Sequence, residues 1–386
     1  MLMALVGFVF AQTFASYVLA QDFEAKVTVK GSTTGFETMS EAVAAANAAD
    51  GEAVIEVQSN VSLTSSMVFT NPNKITITGQ GYTITRSSFT GSMVKGKTIV
   101  LKDIVLDGNS ENNVTADESG VQILEGGSLE LDNAAIVNNK ITSKDKDGGA
   151  VYAPNAKVTL KNGSIIRNNS ATRSAGAIYG GDIHIEDSTI EGNTAGAGNK
   201  EKDVVRGGAI FAENLTVTTT NDEKTEEDKK YTIIKGNTAK GGRGGAIYVD
   251  SENGELAVGG DTIITENSTE ADEAGSFTAG GAIFIKNGNA TIKGNTQITK
   301  NTAKGENGFG GAIAGGKDAK GDLHVEGHVL ITENHAEVKG GAIRLHEGPS
   351  KVYVKDSVKI TGNTSPLGKN LYRAESKNKA ERLTMS

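Results

Sequence analysis

The residues best placed to do chemistry are Asp132, Lys161, Asp182, His184 and Glu186. They sit in or beside short runs that alternate apolar and polar residues: Leu129–Leu131, Val158–Leu160 and Ile183–Ile185. On strand spacing, Asp132, Lys161 and Glu186 form one outward column, and Ser128, Lys157 and Asp182 form another. Acid, base and acid on neighbouring strands about 4.8 Å apart would suit a charged sugar. They would also suit an acid/base pair that cleaves one. The same pattern serves any sheet as an ion-pair ladder that offsets like-charge stacking. The central outward column runs Val100, Glu130, Thr159, His184, Thr216, Ala257, Thr291, His324, Tyr353. It holds a single acid, which favours the ladder over catalysis.

Other chemistries find less support. The 5 histidines show no metal-ligand spacing, and His324 and His328 are four apart on strand periodicity rather than on a helix face. Lys144–Gly148 has the start of a Ca²⁺ loop but lacks the later Glu ligand. With 0 cysteines there is no disulfide, thiolate site or thiol nucleophile. No metal and no cofactor is therefore expected. Asn60-Val61-Ser62, Asn168-Asn169-Ser170 and Asn267-Ser268-Thr269 are glycosylation sequons, which an Asn- and Thr-rich chain produces by chance. Thr76-Ile77-Thr78 and Thr83-Ile84-Thr85 form threonine arrays that do not recur.

What must position all of these is a repeat. Glycine pairs followed by Ala and a β-branched residue start at Gly148-Gly149, Gly207-Gly208, Gly244-Gly245, Gly280-Gly281, Gly310-Gly311 and Gly340-Gly341. A variant, Ala175-Gly176-Ala177-Ile178, falls between the first two, and starts lie 27 to 37 residues apart. Each unit closes on I-x-x-N, ending at Asn139, Asn168, Asn193, Asn237, Asn267, Asn301, Asn334 and Asn363. Three short strands per unit cannot bury an apolar face alone, but stacked units close a continuous core. The prediction is an all-β, parallel β-helix of pectin-lyase-like architecture, right-handed because parallel crossovers overwhelmingly are. A β-propeller needs four longer antiparallel strands per blade. The glycine pairs would supply positive φ or a close backbone approach. The asparagines would form a ladder between coils.

The remainder frames this rod. The 386 residues suffice for a large core, and 49 glycines, 4 prolines and 5% aromatics suit thin coils with many turns. A net charge of −8 argues against nucleic acid or an anionic membrane as partner. Met1–Ala20 is uncharged and apolar and reads as a signal peptide, with Val18-Leu19-Ala20 as the cleavage pattern; a buried or anchoring helix is the alternative. Residues 21–91 read as an N-terminal cap with degenerate coils. Thr38–Ala49 is its helix, capped by Ser40. Residues 92–364 read as the repeats and 365–386 as a charged tail. Thr194–Arg206, Thr219–Lys230, Ser268–Ala279 and Thr302–Phe309 read as loops leaving one edge, where recognition would sit.

GGA[IV] paired with I-x-x-N resembles the GGA[ILV] and FxxN repeats of polymorphic outer-membrane proteins and other adhesin-like bacterial β-helix proteins. The likeness runs from about Gly148 to Asn363, with Ile in place of the family's Phe and no amphipathic strand array after Asn363. The resemblance implies a surface-exposed, adhesin-like protein; the signal peptide adds export, and the chain itself reads as a monomer without enzymatic activity. It would present loops to a host or matrix protein or glycan. A polysaccharide lyase or glycoside hydrolase on the same fold is the alternative.

Overall fold

The computed structural model describes residues 23–196, 205–221, 225–272, 277–316, 321–345 and 351–373. The predicted signal peptide Met1–Ala20 and the tail beyond Arg373 lie outside the described residues. The regular structure is nearly all β, with one α-helix among the described residues, and beyond the N-terminal hairpin the strands stack in parallel, consistent with a β-helix.

The register follows the alternation of side chains. The predicted central column pairs residue for residue: Val100 with Glu130, then Thr159, His184, Thr216, Ala257, Thr291, His324 and Tyr353. A one-residue slip would turn every flanking Leu, Val and Ile to solvent, so burial fixes the pairing. Ile178, Ile210, Ile247, Ile283, Ile313 and Ile343 likewise form one inward column, each fully buried. The strands at Ala53–Val57 and Ile75–Thr78, expected as degenerate, belong to the same ladder. Ile55 pairs with Ile77 and Ile77 with Leu101. The inward column thus runs from Ile55 to Val354, and at about 4.8 Å per coil it is roughly 50 Å long.

The coil differs from three separate strands. The first and second runs merge into one long strand with an irregularity between them, as in Val151–Lys161 and Ile247–Val258. A second sheet carries the third run, with Leu106, Ile136, Ile166, Ile190, Ile234, Ile264, Ile298 and Ile331 buried in one column. Two further ladders appear. One follows the asparagine, pairing Ser170–Ala171, Thr194–Ala195, Thr238–Lys240, Ser268–Glu270, Thr302–Ala303 and His335–Ala336. The other precedes the glycine pair, joining Val205–Arg206, Gly242–Arg243, Phe277–Ala279 and Asn307–Phe309. Much of what reads as loop in sequence is therefore hydrogen-bonded strand.

Each glycine of the pair has its own reason. Gly244 has φ +70°, and a Cβ there would lie 2.1 Å from the Ile247 carbonyl oxygen. Gly245 has no positive φ; its Cβ would lie 2.0 Å from the carbonyl oxygen of Gly281 in the next coil. The first glycine thus combines positive φ with a close approach inside its own unit, and the second has a close approach alone, to the next coil.

The N-terminal end is closed by an antiparallel hairpin, Ala25–Val29 with Ser32–Phe36, turning on Lys30 and Gly31. Ala25–Val29 lies antiparallel on Ala53–Val57 and stops parallel stacking there. The helix Met39–Asn47 packs beside it on Met39, Ala42 and Ala46. Its cap is Thr38, not Ser40. The Thr38 hydroxyl accepts from the Glu41 N–H and the Glu41 carboxylate accepts from the Thr38 N–H, a capping box. Asn47 ties the helix to the first coils, donating to the Val68 carbonyl and accepting from the Thr70 N–H.

Candidate functional site

The strand-face charges fall where the alternation put them. Lys161 Nζ lies 2.9 Å from Glu130 Oε1 and 3.8 Å from Asp132 Oδ2. Its hydrogen bond to Glu130 holds its ammonium above the ordinary lysine range, with Asp132 and Glu186 adding to the effect. His184 Nε2 lies 3.8 Å from Glu186 Oε2. Asp132 also accepts a hydrogen bond from Asn162 Nδ2 at 2.7 Å. Asp182 stands apart in the exposed edge column, beside Lys157 and Asn214. The structure brings Asp132, Lys161, His184 and Glu186 onto one face and adds Glu130 as the closest partner of Lys161. The group is shallow and half-exposed, and its acids and base alternate. Chemically it can pair charges across coils and hold a polar ligand.

The asparagine ladder forms, with one member replaced. Each Asn donates both its backbone N–H and its Nδ2 to the Oδ1 of the next. The series is Asn139, Asn169, Asn193, Asn237, Asn267, Asn301, Asn334 and Asn363. Each Nδ2 from Asn169 onward also donates to an isoleucine carbonyl one coil back. Asn168, read from Ile165-x-x-Asn168, is exposed with φ +56°; the inward pair is Ile166 and Asn169. The sequon asparagine Asn267 is fully buried in this ladder.

An aromatic column was not anticipated. From Tyr152 to Phe284 the residue after the motif is aromatic and stacks on its equivalent in the next coil, and the column ends where Ala314 follows. Ring centroids are 5.5 Å apart for Tyr152 and Tyr179, and 4.5 Å for Tyr179 and Phe211. They are 5.7 Å for Phe211 and Tyr248, and 5.1 Å for Tyr248 and Phe284. The ladder before the glycine pair lies over this column. Arg243 sits 4.8 Å over Phe277 and 5.2 Å over Phe284, and Arg344 sits 4.5 Å over Phe309. Burial lowers both guanidiniums from their usual range and pushes the Tyr248 phenol up to about 12. The repeat itself held the signal, an aromatic in the fifth place of the motif at Tyr152, Phe211, Tyr248 and Phe284.

Among the described residues no group of three or more His, Asp or Glu could hold a metal ion. His324 stacks on Tyr353 at 4.6 Å, and His328 is exposed. Asp147 of the Lys144–Gly148 turn is held by Arg173 and by the Ser174 N–H.

The comparisons bear on the repeat unit. No curated protein and no solved structure matches the chain. Residues 231–250 match the Chlamydia polymorphic membrane protein repeat. In the fold this segment is one complete passage of the coil edge. It runs from the strand Thr232–Lys235 through Asn237 and both short ladders to the glycine pair and Ile247. Over that one unit the chain is similar to the polymorphic membrane protein repeat.

Proposed function

We propose that the protein is an exported cell-surface adhesin, a right-handed parallel β-helix that holds ligand-binding features rigidly along a rod. The observation that carries this reading is the match of residues 231–250 to the polymorphic membrane protein repeat, together with the recurrence of the same unit in register along the stack. A rigid scaffold with polar faces and a net charge of −8 suits binding to a host or matrix protein or glycan rather than to nucleic acid. The pairing of Lys161 with two carboxylates supports a structural or binding role for the strand face rather than a catalytic one.

The test uses the purified chain on cultured host cells and on immobilised matrix, with pectin, alginate and glycosaminoglycans assayed in parallel for turnover. Saturable binding without turnover is expected. Release of unsaturated or reducing ends that disappears in Asp132→Ala or Glu186→Ala would overturn the reading in favour of an enzyme.

A further inference from the structure

The aromatic column has an open end, and that end carries chemistry of its own. Tyr152 presents one face to Tyr179. Its other face looks toward the preceding coil, where the register partner is Gln122, an amide instead of a ring. From Val205 onward the column is roofed by the short ladder; the described strands of that ladder do not reach back over Tyr152 and Gln122, and both are half-exposed. A cleft of about 190 Å³ opens there. Ser92 and Glu118 form one wall, where Glu118 accepts from the Ser92 N–H and hydroxyl at 3.3 and 3.2 Å. Asp147 and Arg173, locked in an ion pair, form the other wall. Gln122 Oε1 is buried and has no donor among the described residues, which leaves the amide nitrogen as the group that can face the opening.

We propose that this cleft binds one neutral sugar ring of a glycan, packed against the part of the Tyr152 ring that borders the cleft beside Gln122 and hydrogen-bonded by the Gln122 amide nitrogen and the Glu118 carboxylate. The shape calls for a ring, since the position continues a stack of rings. The size calls for one ring: drug-sized ligands occupy pockets of about 300–1,000 Å³. The polar groups call for hydroxyls, because the Glu118 carboxylate accepts from a hydroxyl and the Gln122 amide nitrogen donates to one, and a flat hydrocarbon offers neither. The charge calls for neutrality. Asp147 and Arg173 cancel, which leaves Glu118, Asp145 and Lys146 around the opening, a net acidic rim that repels uronate and sulfate. This names the ligand class for the surface role proposed above and rests on that reading only for its biological setting.

The experiment uses the intact chain with methyl glycosides of glucose, galactose and N-acetylglucosamine, and with methyl glucuronide. Saturation-transfer NMR and tyrosine emission report binding, the latter unobscured because the chain has 0 Trp. At least one neutral glycoside should bind more tightly than the glucuronide. Tyr152→Ala should weaken it at least tenfold and Gln122→Leu at least threefold, while Tyr152→Phe, which keeps the ring, stays within twofold. Thermal midpoints of the variants separate lost binding from lost fold. Absence of neutral-glycoside binding, preference for the glucuronide, or binding untouched by Tyr152→Ala in a folded variant would each overturn the proposal. Host cells stripped of glycans supply the separate control. Undiminished binding to them, with no glycoside binding, removes the sugar cleft and leaves the adhesin reading. Glycoside binding that Tyr152→Ala abolishes, with no cell binding, keeps the cleft and removes the adhesin reading.

Discussion

At Ile165-Ile166 and Asn168-Asn169 the sequence satisfies I-x-x-N in two registers one residue apart. Only stacking decides between them, because Ile166 and Asn169 face the interior while Asn168 takes a left-handed turn position in solvent. Asn169→Ala would leave the Asn139 N–H and Nδ2 without their acceptor and the Ile136 carbonyl without that donor. Buried orphans cost about 1–3 kcal/mol each, so the expected loss is roughly 3–5 kcal/mol. Asn168→Gly keeps the turn and should change stability by less than about 0.5 kcal/mol. Urea midpoints of the two variants read the difference, and equal losses would refute the assignment. The glycine pair gives a second ordering. The chain already places Ala175, at φ +56°, in the first position of one unit. It keeps glycine in the second position of every unit from Gly149 to Gly341; Lys369 follows, after which no further coil stacks among the described residues. Gly244→Ala should therefore cost about 1–2 kcal/mol of local strain. Gly245→Ala, whose methyl meets the next coil's carbonyl, should cost about 3 kcal/mol or more. The reverse ranking would sink this account.

The long strands were legible because period-two alternation and a near-constant unit fix both face and partner, and nine consecutive outward residues could be aligned correctly from the sequence. The two short ladders were not. Strands of two or three residues such as Val205–Arg206 and Gly242–Arg243 carry no periodicity, and they lie where unit lengths vary most. Segments expected to be removable loops, such as 194–206 and 268–279, hold strands of both ladders, so trimming them to two-residue turns would uncover the aromatic column. Phe284 is the test residue: it is 1% exposed, stacks on Tyr248 and lies under the Arg243 guanidinium. Phe284→Ala should cost about 3–5 kcal/mol and hasten proteolysis near Phe277–Ala279; unchanged cleavage there would show that the cover does not depend on the ring. Alkali probes the same element. The Tyr248 phenol is raised from 10.0 to about 12, so the folded state holds that proton more tightly than the unfolded chain. The stabilising contribution of the neutral phenol is complete below pH 10 and is lost as pH rises toward 12. Chemical denaturation across that window should show the decline, and Tyr248→Phe should flatten it.

A stack of coils is held by nearest-neighbour contacts, so its ends decide how it opens. The candidate charged face is an expression of the same stacking: Lys161 between Glu130 and Asp132 arises wherever acid and base alternate on adjacent strands, and sequence alone gave no depth to tell a surface ladder from a cleft. The two ends differ. The first coil is covered by an antiparallel hairpin and a helix whose Met39, Ala42 and Ala46 are buried. At the other end Val352–Val354 is half-buried, Lys359–Thr361 is largely exposed, and the asparagine ladder stops when Asn363 Nδ2 turns to Asn370 Oδ1, in the segment that stacks on Gly340–Ile343, at 3.2 Å. Opening should therefore begin at that end and stop where both neighbours are present. Native-state amide exchange should be at least tenfold faster at Val352–Val354 and Lys359–Thr361 than at Leu129–Leu131 and Ile183–Ile185, with intermediate values at Leu323–Val325. Low denaturant should merge the outer coils into the global transition last. Uniform protection from Ile55 to Val354 would mean that the rod opens as one cooperative block, and the nearest-neighbour description of this protein would have to be abandoned.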